Sequence, residues 1–168
     1  MNRETLIRKG RPLLTGTVLL VLACAAATVT MSSLPYTLRE EMQTSRYDAP
    51  DSLIYSAVVA TYVESGYSLQ VTDKALGLVQ TEPLMFPVNE NRDIWTQALV
   101  GAKFRYRRRV TARVKDGVVK LSYVFESESK GRYYGESGWE VAEPDTSFSN
   151  QLYRNAFSNI AKFLGEGK

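Results

Sequence analysis

The chain has 168 residues, 44% of them apolar, and a net charge of +3 at neutral pH, which suits one domain with a hydrophobic core rather than two. It contains no histidine, which removes the commonest general base, the Ser-His nucleophile system and most catalytic zinc sites. A pI near 9.0 does not make it a nucleic-acid binder: four of the 21 basic residues (Arg3, Arg8, Lys9, Arg11) and one of the 18 acidic residues (Glu4) precede Cys24, so 17 of each sign follow it.

Behind that basic head, Leu13 to Ala23 form an apolar run of signal-peptide length, short of a membrane span. The order Val21, Leu22, Ala23, Cys24 resembles the bacterial lipoprotein signal, in which the cysteine becomes the first mature residue and is acylated. Two other readings stand beside it: an uncleaved anchor from Leu13 to Met31, or ordinary cleavage after Ala25 or Ala27. All three place the domain outside the cytoplasm. Cys24 is the only cysteine, so it forms no internal disulfide, and a thioether to lipid would remove a free thiol from an oxidising compartment. Ala25 follows it where Asp would hold a lipoprotein in the inner membrane, so the resemblance implies an outer-membrane anchor with the domain in the periplasm; an inner-membrane anchor is the alternative. The expected organisation is a signal peptide at 1–23, a tether at 24–37 rich in Ala, Thr and Ser, and a single α+β domain at 38–168.

Leu38 to Tyr47 alternates weakly, as a short edge strand would, with Met42 inward. Asp48, Ala49, Pro50 and Asp51 read as a helix start, with Asp48 as the cap and Asp51 near the positive end of the dipole. The following helix carries Ile54, Ala57, Val58 and Thr61 on one stripe, widened by Tyr55, Val59 and Tyr62, and Gly66 ends it. Tyr67, Leu69 and Val71 then alternate with polar residues, and a turn at Asp73 to Ala75 leads into Leu76 and Leu78, a β-hairpin. Glu82 to Asp93 reads as a long loop in which Leu84, Met85 and Phe86 form either a satellite of the core or a contact patch for a partner.

Lys103 to Ser129 is a long hairpin about Asp116 and Gly117, a turn of the primed type. Pairing about it sets Val114 opposite Val119, Ala112 opposite Leu121, Val110 opposite Tyr123 and Arg108 opposite Phe125. The other face carries Arg105, Arg107, Arg109, Thr111, Arg113 and Lys115 against Lys120, Ser122, Val124 and Glu126. Arg105, Arg107, Arg109, Arg113 and Lys115 are therefore candidate contacts for an anionic surface, unless Glu126, Glu128 and Glu136 pair with them on a solvated face. Phe104 and Tyr106 have the opposite parity, which weakens a stacking platform for single-stranded nucleic acid. Trp139 and Val141 mark a final strand, and Asp145 or Ser147 caps a last helix whose stripe is Phe148, Leu152, Ala156, Ile160 and Phe163.

These elements predict a two-layer α+β sandwich with an antiparallel sheet of four to five strands and two helices on one face. Residues 48–165 resemble the helix-grip type of domain, distantly similar to those in the lipoprotein subunit of the outer-membrane barrel-assembly machine. Ser52 to Gln80, with ESGYSL and TDKALGLVQT after its helix, is also similar to many bacterial lipoproteins with the order helix, Gly-aromatic, strand, D-x-x-x-G, strand. The resemblance implies a periplasmic adaptor or assembly role and carries over no catalytic residue. No cofactor or metal is expected, since the glycines form no phosphate fingerprint and Glu82 to Asp93 lacks a calcium-loop pattern. The expected function is a non-enzymatic envelope adaptor with a protein partner, held to the membrane by its N-terminal lipid. A carrier of an anionic lipid or polysaccharide and an enzyme using a carboxylate pair are the alternatives.

Overall fold

The computed structural model describes residues 30–85, 102–131, 135–136 and 138–165. Cys24, the expected signal peptide and Phe86 lie outside the described residues. Among the described residues the order is a 3-10 turn at Met31–Ser33, α1 (Tyr36–Gln43), β1 (Thr44–Arg46), α2 (Asp51–Glu64), β2 (Leu69–Asp73), β3 (Leu78–Thr81), β4 (Leu84–Met85), β5 (Ala102–Lys115), β6 (Val118–Gly131), β7 (Gly135–Glu136), β8 (Glu140–Ala142) and α3 (Thr146–Leu164).

The fold is α+β, an antiparallel sheet in the order β1-β6-β5-β3-β2, with β4 paired to β5 and both β7 and β8 paired to β6. That makes eight strands and three α-helices among the described residues, more than the four to five strands and two helices expected. The additional strands are pieces of two or three residues, too short to show a two-residue period in sequence.

The β5-β6 hairpin is the centre of the sheet, and its register matches the sequence reading pair for pair from Val114↔Val119 to Arg108↔Phe125. Asp116 and Gly117 both have positive φ, 54° and 72°, as a type I′ turn requires. Val110, Ala112, Val114, Val119, Leu121 and Phe125 are buried on the inner face. Where β3 stops, the Thr81 hydroxyl accepts from the Val110 N–H at 2.9 Å, so a ladder position is satisfied by a side chain and Thr81 is fully buried.

The α2 stripe is buried as its spacing predicts, through Ile54, Tyr55, Ala57, Val58, Thr61 and Tyr62. Its start differs from the expectation. Asp48 is not the cap: Pro50 occupies that position, and no side chain caps the helix. The carboxylate of Asp51 instead accepts from the backbone N–H groups of Asp116 (3.1 Å) and Gly117 (2.8 Å), which fastens the first turn of α2 to the tip of the long hairpin. After Gly66 the inward alternation begins with buried Tyr67, but a bulge between Leu69 and Val71 leaves Val71 exposed. In the next strand the buried residues are Val79 and Thr81, whereas Leu76 projects into solvent from the turn.

Leu38 to Tyr47 is mostly helix, not an edge strand: α1 covers its first part and only Thr44–Arg46 pairs, with β6. The stretch expected as tether is joined to the domain from Thr30 onward, through a β-bridge between Thr30 and Asp145 and a hydrogen bond from the Ser32 hydroxyl to Glu143. At α3, Asp145 is the cap, accepting from the Phe148 N–H at 2.9 Å. Ala156 and Ile160 of the expected stripe are buried together with Ser149 and Tyr153, but Phe148 and Phe163 are substantially exposed. α2 and α3 pack on each other over the inner face, and the Tyr47 hydroxyl donates to the Phe157 carbonyl at 3.0 Å to hold α3 there.

Candidate functional site

The outer face of the sheet, away from α2 and α3, can be built row by row from the register. One row runs Met85, Arg107, Glu126, Val141; the next pairs Arg105 with Glu128; on the other side come Arg109 with Val124, then Gln80, Thr111 and Ser122, then Leu78, Arg113, Lys120 and Thr44. The two groups of candidates nominated by the sequence therefore partly merge. Met85 stands beside Arg107 on the outer face and is 49% exposed. Leu84, its neighbour, has the opposite parity and packs against the core.

The arginine ladder divides in two. Arg107 forms an ion pair with Glu126 at 2.9 Å, and Arg105 forms one with Glu128. The ring of Trp139 lies over both guanidiniums, its centroid 4.1 Å from that of Arg107 and 5.7 Å from that of Arg105. Arg109, Arg113 and Lys115 make no salt bridge with a described residue, and Lys120, beside Arg113, is paired with Glu40 at 2.5 Å. That pairing is the chief reason the Glu40 carboxyl titrates below its ordinary value. Exposed Met85 and Val141 close the two ends of the Arg107 row. The partners Glu126 and Glu128 were legible from strand parity, but the position of Trp139 was not, because it depends on β8 returning along β6.

Behind this face lies a polar aromatic layer that the sequence reading missed. Arg108 has inward parity, and its guanidinium donates to the Tyr67 hydroxyl and lies 5.6 Å from the Tyr67 ring centroid. Tyr67 meets Tyr62 edge to face at 5.6 Å, the Tyr62 and Tyr123 hydroxyls are 3.3 Å apart, and Tyr123 meets Tyr153 edge to face at 5.0 Å. The Tyr153 hydroxyl accepts from the Gln43 amide at 3.2 Å. The available signal was Arg108 itself, since a charge within an apolar alternation needs a buried partner. Beside Tyr123 and Tyr153 is a cavity of about 240 Å³, walled by Met31, Arg39, Gln43, Phe125 and Pro144 among others. That is below the usual size of a small-molecule site.

Burial is the main cause that raises the phenol pKa values of Tyr62, Tyr67, Tyr123 and Tyr153; Arg108 opposes it at Tyr67, and the Gln43 amide opposes it at Tyr153. These phenols stay protonated at neutral pH and serve as hydrogen-bonding groups, not as bases. In the unfolded chain they ionise near pH 10, so above that pH the unfolded state binds fewer protons than the native one and stability falls. Each such tyrosine contributes a slope of up to about 1.4 kcal/mol per pH unit between its unfolded and folded pKa values. Melting curves from pH 8 upward should stay flat with respect to these groups until about pH 10 and then fall, with phenolate absorbance rising together with unfolding. Ionisation of all ten tyrosines while the fold remains intact would contradict the buried layer.

Among the described residues no group of three or more His, Cys, Asp and Glu side chains is placed to hold a metal ion, and no helix is long and apolar enough to cross a membrane. Glu126 and Glu128, both on the outer face, are each engaged by an arginine. No protein-family model and no curated protein matches the chain.

Proposed function

We propose that this chain is a non-enzymatic lipoprotein of the bacterial envelope, anchored through Cys24, whose outer sheet face docks a protein partner. The observation that carries the reading is Trp139 stacked over Arg107 and Arg105, with exposed Met85 and Val141 at the ends of the Arg107 row. Tryptophan and arginine are among the side chains most enriched where binding energy concentrates, and the ion pair of Arg107 with Glu126, both largely shielded from solvent, orients that guanidinium before any partner arrives. A surface of interleaved glutamate, arginine and apolar groups suits another protein better than a polyanion, which Glu126 and Glu128 would repel. The order of helix, Gly66, hairpin and closing helix supports the likeness to periplasmic assembly lipoproteins, and no residue role is taken from it.

The second reading, a binder of anionic lipid or polysaccharide, is favoured by Arg109, Arg113 and Lys115, three cations of the arginine ladder that make no salt bridge with a described residue. Crosslinking in envelope membranes, with recovery analysed for protein and lipid, separates the two. Protein docking predicts one stoichiometric protein adduct, lost with Trp139→Ala and Arg107→Ala and retained when Arg109, Arg113 and Lys115 become Ser. Recovery of lipid or glycan alone, lost with the Ser changes and weakened by salt, would replace the adaptor by the carrier.

A further inference from the structure

We infer that the end of the domain where the chain enters it, marked by Tyr36, Leu38 and Phe148, is a bilayer-facing surface that rests on the lipid headgroups. The inference deepens the proposed function and rests on the reading that Cys24 carries the membrane anchor.

The entry point is fixed. Thr30 bridges Asp145 at the start of α3, and the Ser32 hydroxyl bonds Glu143, so the domain is held from that residue onward. Hydrogen bonds from Ser32 and Thr30 keep the Glu143 carboxyl below its ordinary pKa, so the tie is to a carboxylate at neutral pH. Six peptide steps separate Cys24 from Thr30, and a fully extended chain gains at most about 3.5 Å per step, so Thr30 lies within about 21 Å of a lipidated Cys24. The end of the domain that carries Thr30 is thus confined close to the membrane.

That end also exposes large apolar side chains. Tyr36 is 67% exposed and Leu38 49%, both in the first turn of α1 just beyond the entry, and Phe148 is 39% exposed three residues after Asp145. Arg39, next on α1, lines the same cavity as Met31 and Ser32, which places α1 beside the 3-10 turn at the entry. Arg39 forms no salt bridge with a described residue. Exposed aromatic and leucine side chains beside an arginine match the headgroup region, where apolar bodies sink and cationic or polar tips remain in water. A protein partner could cover the same groups, but the short reach from the anchor brings the bilayer there first.

The test places a benzoylphenylalanine photocrosslinker in the full chain at Tyr36, Leu38 or, as a control, Leu76. Leu76 is as exposed as Tyr36 but sits in the β2-β3 turn, beside Lys115 and Val114. Envelope membranes are irradiated, adducts are identified by mass, and the same spectra report what Cys24 carries. The expected result is phospholipid adducts at 36 and 38 and few at 76, since interfacial apolar groups sink about 5–10 Å into the headgroup boundary. Protein adducts in place of lipid at 36 and 38, or equal lipid labelling at all three positions, would overturn the inference whatever Cys24 carries. Lipid adducts at 36 and 38 with an unmodified Cys24 would uphold it and overturn the anchor reading alone.

Discussion

Leu121→Ala is expected to cost about 2 to 5 kcal/mol of folding stability, the range for truncating a fully buried leucine. Leu121 is completely buried in β6, opposite Ala112 across the central hairpin, within the cluster that also contains Ile54, Val58, Val79 and Ile160. Ala112 has only a methyl group, too small to fill the space, and the neighbours are anchored in two helices and a second strand, so the cavity cannot readily collapse. Arg113→Ala, one position along β5 and on the opposite face, should change stability by no more than about 0.5 kcal/mol. Arg113 is exposed, and its cross-strand neighbour Lys120 is a like charge, so removing it forfeits no attraction across the pair. Urea melts of both variants provide the check. Comparable losses would mean that the inner and outer faces of the sheet are exchanged.

The central hairpin was legible because two independent signals agree there: a turn dipeptide that tolerates positive φ at both positions, and two alternations that meet about it in register. The first helix was hidden for a physical reason. None of the α1 residues is buried and five of its eight are polar, so its apolar positions are too few to mark a helix, and its weak alternation imitates a strand. It is held by contacts remote in sequence, including the Glu40 ion pair with Lys120 and the Gln43 hydrogen bond to Tyr153. The role of Asp51 was equally obscured, because an acid in a first helical turn is adequately explained by the dipole, and nothing local reveals that a turn 65 residues later delivers two N–H groups to it.

Of the candidate binding face, the sequence held the parity of the arginines and the identity of two acidic partners. It did not hold the union of that face with Met85, nor the division of Leu84 from Met85, since both depend on the residue of β5 that a two-residue strand happens to meet. Trp139 is the same kind of case. Its ring reaches Arg105 and Arg107 from a segment more than thirty residues away in sequence, at the entrance to β8. Local pattern fixes faces, whereas the composition of a surface is decided by which strands lie side by side.

Gly77→Ala should destabilise the domain by at least about 3 kcal/mol, as a combined backbone-strain and overpacking change. Gly77 has φ of +63°, where an L side chain alone costs about 1–2 kcal/mol. The larger contribution is steric: a β-carbon there would lie 2.0 Å from the carbonyl oxygen of Val114, well inside contact distance. Val114 cannot move aside cheaply, because it is buried in β5, paired with Val119, and its N–H donates to the Gly77 carbonyl at 2.8 Å. Relieving the clash would therefore separate the β2-β3 hairpin from the central strand. Gly66→Ala is the matched control, with φ of +83° but open space around the new methyl group, so it should cost only the conformational penalty of about 1–2 kcal/mol. At this chain length each kcal/mol lowers the melting temperature by about 2–4 °C, so calorimetry should separate the two variants. Equal melting temperatures would show that the β2-β3 turn stands off from Val114.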